Sequence, residues 1–309
     1  MDNSSFFLSI FYNQIKKNTH INMKKIILIL ISLFIFSDVA ISEEKLLFKY
    51  NIDKSLPEDW VIEFKEIMKN LQEFLPIDEN LKEINNDQIM EIYTWSSAVK
   101  NPFGQKGKYG GASISGDGKS QWMILEINKD EFKYNSSHRY SVIVHEYYHI
   151  YQMSLSKNRM APKWLNEGGA KLIEEIYVQQ YYGKNALKND LTSTNPTLYS
   201  KKIFTKPSLF EEFKTSEGFM DMNYAGSAFM MLVLVKELQK NNISEHEAFK
   251  LVLNDFWNAK AEQKNWKKAF EQTFKMSVKD FYDKLGKYSK KDVKKILPSK
   301  SLKIQDIFS

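Results

Sequence analysis

The sequence contains no cysteine. That excludes disulfides, thiolate metal ligands and a cysteine nucleophile, and it removes the residue on which a bacterial lipoprotein carries its lipid. Histidine is scarce as well, with five in 309 residues. Glycine (12) and proline (7) are too few to build a Gly/Ser or Pro-rich linker, and no internal repeat divides the body. Acidic residues are only slightly outnumbered by basic ones, leaving a net charge of +6 that comes mostly from lysine. Over this length the excess is modest and gives no reason to expect a nucleic-acid partner. What is present suits a folded protein. Hydrophobic residues make up 43% and charged residues 27%, which argues against wholesale disorder, and the length suffices for one large domain or two modest ones.

The N-terminus reads as an export signal. From Met23, "MKKIILILISLFIFSDVAIS" supplies two lysines, an apolar run from Ile26 to Phe36, and a small-x-small site at Ala40 and Ser42. The run is shorter than the roughly 20 residues that a membrane-spanning helix needs. The expectation is therefore a leader cleaved near Ser42, no stable membrane span afterwards, and a periplasmic or extracellular product. Residues 1–22 precede the better start at Met23. Residues 1–42 are thus expected to be an extension plus signal peptide.

Along the rest of the chain, "EDWVIEFKEIMKNLQEFL" (58–75) has helical apolar spacing. "QIMEIYTW" (88–95) and "QWMILEIN" (121–128) are rich in β-branched and aromatic residues and read as strands. Between them "NPFGQKGKYGGASISGDGKS" is dense in turn residues and reads as a solvent loop or a cleft rim. After Lys133 the pattern predicts helices at about 138–155, 162–182, 222–240, 244–257, 263–275 and 277–289, with Pro162 at the first turn of its helix. The fold class is α+β: a small N-terminal sheet to about residue 135, then a mainly helical C-terminal part, forming one domain over 43–290. The lysine-rich end, 291–309, reads as a solvated tail or last helix. Residues 43–87 fit a prosegment, an added lobe or part of the sheet.

The chemistry lies in "VIVHEYYHIYQ". On a helix, residues i and i+4 share a face, so His145 and His149 present two imidazoles side by side. Zinc takes neutral imidazole nitrogen, and a catalytic zinc keeps three protein ligands and one open position. Glu146, about 100° round the helix, borders that position without being a ligand and can serve as a base. This is the arrangement that metal-assisted hydrolysis requires. Glu167, in "PKWLNEGGAKLIEE", follows His149 after seventeen intervening residues, and a short turn into an antiparallel helix would return it to the metal. Gly168 and Gly169 each cost about 1 kcal/mol of helix propensity, which points to something packed close against the backbone there. Glu174 shares the face of Glu167 and can accept a hydrogen bond from a ligand histidine's second nitrogen.

HEYYH followed by WLNEGGA resembles the gluzincin zinc peptidases, which carry HExxH and a downstream glutamate, and especially the peptidase MA-like family. The resemblance covers residues 90–290 in the order of elements and is sharp over the two motifs. It implies a thermolysin-like zincin core holding one zinc ion through His145, His149 and Glu167, with Glu146 as general base. By the same resemblance Gln121–Asn128 is the edge strand that pairs with an extended peptide substrate. Tyr224, in "NYAGSAFMMLVLVKEL", is the donor to the developing oxyanion. Tyr147 and Tyr148 are packing residues, with Tyr148 the deeper.

The chain also departs from relatives in this broad group. Aminopeptidases use a GxMEN-type motif whose glutamate holds the substrate's amine. The nearest stretch here, "GGASISG", has no carboxylate, so an endopeptidase acting on peptides or proteins is the better expectation. The spacing to the glutamate is also one residue shorter than in those aminopeptidases. Two other readings compete: a catalytically silent zincin-fold envelope binding protein, and a structural zinc site closed by a fourth ligand, for which His138 is the obvious candidate.

Overall fold

The computed structural model describes residues 46–77, 88–156, 162–192, 202–212, 220–259 and 265–308. The expected leader and extension, 1–42, lie outside the described residues. The architecture is α+β, mainly helical around a small mixed sheet.

The chain enters as β1 (Leu47–Ile52) and crosses through helix α1 (Glu58–Phe74) to β2 (Ile89–Ser96). It then forms β3 (Ala112–Gly116) and β4 (Gln121–Ile127). The sheet order is β1-β2-β4-β3, with β1, β2 and β4 parallel and β3 antiparallel to β4. β1 and α1 make residues 47–74 part of the sheet and its core. α1 does so with a stripe at Trp60, Phe64, Ile67, Met68 and Leu71, the spacing of one buried helical face.

Side chains alternate across the sheet. Met90, Ile92, Met123, Leu125 and Ile127 join the main core, whereas Tyr93, Trp95, Trp122 and Ile124 form a separate cluster on the opposite face. The segment read as a solvent loop or a cleft rim covers that second face, so it is not simply solvated. Phe103 packs edge-on against Tyr93 and Trp95, with centroids 5.1 and 5.9 Å away. The Trp122 indole donates to the carbonyl of Lys106 at 2.9 Å. The same segment supplies β3, and this corrects a second expectation. Gln121–Ile127 is paired on both sides, so it is not an edge strand; β3 is the edge beside it.

Helices α2 (His138–Leu155) and α3 (Lys163–Tyr182) follow, then α4 (Ala186–Thr192) and α5 (Met220–Gln239). α2 and α3 are buried over most of their length, and so is α5 from Ala225 to Val235. For α5, apolar on every side over that stretch, this is the burial expected; α2 and α3 are buried although they carry charged and polar side chains, which partner one another. α6 (Glu245–Lys250) opens with a capping box at Ser244 and Glu247 and runs through a π-helical segment, Leu251–Asp255, to Phe256–Asn258. The expected helix at 244–257 is therefore not regular throughout. α7 (Trp266–Phe274) and α8 (Val278–Leu285) are amphipathic.

Of the two readings of the basic C-terminal stretch, solvated tail or last helix, the structure shows helix, in two short pieces packed on the core. α9 (Val293–Ile296), α10 (Ile304–Phe308) and the segment between them bury Val293, Ile296, Leu302, Ile304 and Ile307. Gln180 of α3 accepts from the Ile304 amide at 2.9 Å, and Gln179 donates to the Ser299 carbonyl at 2.9 Å. The lysines face solvent while the intervening apolar residues close the core. Among the described residues no helix is long and apolar enough to cross a membrane.

Candidate metal centre

α2 places His145 and His149 one turn apart, their rings nearly perpendicular with centroids 4.9 Å apart. α3 returns alongside and brings Glu167 to both. Its Oε2 lies 3.4 Å from Nε2 of His145 and 3.2 Å from Nε2 of His149. These three residues each offer a ligand atom, all within 4.8 Å of one another, and they form the one such cluster found among the described residues. The two histidine-to-glutamate separations are of the size that ligands of one ion show. Three ligands at zinc's usual bond lengths on tetrahedral corners stand about 3.3 Å apart.

The helices approach closely because α3 carries glycines where its neighbours press. A Cβ added at Gly168 would lie 2.7 Å from the Ser227 carbonyl oxygen of α5 and 2.8 Å from Cγ of Met231. One added at Gly169 would meet the Tyr148 ring at 3.0 Å. Close packing at both glycines is what the sequence led us to expect. Tyr147 and Tyr148 are both fully buried, donating to the carbonyls of Leu75 at 3.0 Å and Leu253 at 2.6 Å.

Each imidazole is oriented from behind. Nδ1 of His145 lies 3.1 Å from Oε2 of Glu174, an acceptor, so Nδ1 carries the hydrogen. Nδ1 of His149 lies 2.8 Å from Oε1 of Gln152. The amide of Gln152 is fixed by its nitrogen, which donates to the Asn166 carbonyl at 3.1 Å. Both rings therefore turn Nε2 toward Glu167, the tautomer that offers a lone pair to a metal.

Charge is concentrated here. Burial opposes the imidazolium of His145, but its hydrogen bonds to the Glu167 and Glu174 carboxylates outweigh it and push the group up to about 10. Burial likewise opposes the charge on Glu167, yet His149 and His145 hold its carboxyl well below the usual carboxylate range. Glu174 is held low against burial by Lys171 and His145.

The remaining expected residues sit as follows. Glu146 is buried, and its charge acts on His145. Tyr224, on α5, stands edge-on to the His145 ring with centroids 5.8 Å apart and is 38% exposed. His138 does not join the cluster; its Nδ1 lies 2.9 Å from Oε1 of Glu131, and its side chain is largely exposed. Three residues that sequence reasoning missed are Ser141, Gln152 and Lys171. Ser141 and Gln152 lie four before His145 and three after His149, so helical spacing alone could have flagged them.

The fold and site define an α+β protein with a largely buried histidine–histidine–glutamate cluster of metal-ligand geometry. No protein-family model matches the chain, and no curated protein matches it significantly.

Proposed function

We propose that this chain is an exported zinc-dependent peptidase with a thermolysin-like zincin core of the gluzincin, peptidase MA-like kind. One observation carries the reading: Nε2 of His145, Nε2 of His149 and Oε2 of Glu167 converge from two helices at separations that fit a tetrahedral ion. The second nitrogen of each ring is already engaged by Glu174 or Gln152. Among the described residues the cluster holds three ligands, as a centre with an open position requires.

The chain's own residues then have distinct tasks. Zinc held by His145, His149 and Glu167 would supply Lewis acidity and bring the pKa of water toward about 7. Glu146 takes the proton from the attacking water and delivers it to the leaving amine. The Tyr224 hydroxyl, beside His145 and open to solvent, donates to the oxyanion that forms during attack. The outer edge of β3, which pairs with no further strand among the described residues and which touches α2, pairs with an extended peptide. With no carboxylate in "GGASISG" to hold a substrate amine, internal bonds are favoured over N-terminal ones.

The test is metal content together with digestion of a mixed peptide library, for the wild type and Glu146→Gln. A zinc-loaded variant that no longer cleaves supports the reading. Equal cleavage by both proteins removes it.

A further inference from the structure

Behind the ligand cluster lies a group of buried charges that the reaction itself does not use. Lys171 follows Glu167 by one helical turn on α3, and its side chain is only 13% exposed. Its ammonium meets Oε1 of Glu174 at 2.8 Å, Oε1 of Glu175 at 2.7 Å and Oδ2 of Asp190, on α4, at 3.4 Å. Glu174 divides its oxygens. Oε2 faces Nδ1 of His145 at 3.1 Å, while Oε1 takes the Ser141 hydroxyl at 2.9 Å as well as Lys171. Glu175 turns away from the metal ligands and accepts from the Leu187 amide at 2.7 Å.

Helix stability does not account for this arrangement. Lysine ahead of glutamate along a helix is the less favourable order for such pairs. Burying an ion pair strips water from both charges and is often no better for stability than packed apolar residues. Its consequence is positional. Glu174 and Glu175 are consecutive, each with a side chain 5% exposed, and their like charges push apart. Lys171 bonds both, and with Ser141 it fixes Oε1 so that Oε2 can stand only against His145.

We propose that Lys171 is a positioning residue of the metal centre, its ammonium pinning Glu174 so that the His145 ring is held with Nε2 toward Glu167 and His149. The inference rests on the zinc reading above. Its reach is long: a lysine with no direct bond to any ligand sets the orientation of one of them through a single carboxylate.

Zinc affinity, measured by competition with a chromophoric chelator, and the visible spectrum of the cobalt-loaded protein test it in wild type, Lys171→Gln and Lys171→Arg. Glutamine keeps a donor for Glu174 without the charge, and arginine keeps the charge. The glutamine variant should fold, bind zinc about tenfold or more weakly and show an altered cobalt spectrum, with arginine restoring most of both. Wild-type protein that takes up no zinc sinks the zinc reading itself. If the wild type binds zinc, a folded glutamine variant with affinity within twofold of it overturns the role of Lys171 alone. An arginine variant as weak as glutamine overturns it too, because charge would not be the agent. So does a glutamine variant that cannot fold, because Lys171 would then serve the fold.

Discussion

Oε1 of Gln152 stands 2.8 Å from Nδ1 of His149, and the same side chain is tied through its nitrogen to the Asn166 carbonyl, one residue before Glu167. One amide thus links the two helices that carry the ligands. Removing it with Gln152→Ala should weaken zinc binding by about 10–100-fold, the usual effect of losing such a partner. Gln152→Glu retains the acceptor and should recover part of the loss. Chelator competition measures both.

Gly168 and Gly169 separate by size of effect. At Gly168 a methyl group meets the Ser227 carbonyl, which belongs to a buried helix backbone and cannot move cheaply. The strain of overpacking, about 1–3 kcal/mol, works against a helix-propensity gain of about 1 kcal/mol. Gly168→Ala should lower the urea midpoint, and by more than Gly169→Ala, where the neighbour is a side-chain ring at 3.0 Å. Equal midpoints would show that α3 and α5 are not held this closely.

The buried Tyr148 hydroxyl donates to the Leu253 carbonyl inside the π-helical segment. Tyr148→Phe leaves that carbonyl without this donor, at a cost of about 1–3 kcal/mol. Denaturant unfolding should report the loss, with zinc stoichiometry unchanged, because Tyr148 contributes no ligand atom.

Acid sensitivity should centre in part on Glu237. Burial opposes its charge, but Lys240, Tyr288 and Lys284 outweigh it and hold the carboxyl below the usual range. A depressed folded value means stability that is complete above the unfolded value, about 4.3, and is lost as pH falls through the folded one. Glu237→Gln should therefore be less stable than wild type at neutral pH, with the gap closing in acid. Urea midpoints at pH 7 and at about pH 3.5 measure it. A gap that stays constant contradicts the assignment.

The histidines of the cluster were legible because their signal is local. His145 and His149 share a helix face by spacing alone, and Glu174 lies two turns beyond Glu167. β3 was not legible. Ala112, Ser113 and Ser115 have no strong strand preference and sit among glycines, and it is pairing with β4 that makes them a strand. At the C-terminus the lysines concealed five apolar residues spread too irregularly for a helical pattern. Lys171 reads in sequence as one more helix-surface charge. Its burial and its contact with Asp190 depend on how the chain folds, with α4 bringing Asp190 to it.

Diffraction at the zinc absorption edge from zinc-loaded crystals tests the central claim most directly. The account predicts one anomalous peak within bonding distance of Nε2 of His145, Nε2 of His149 and a carboxylate oxygen of Glu167, with no fourth protein ligand. No peak there, or a peak closed off by a fourth side chain, would contradict it.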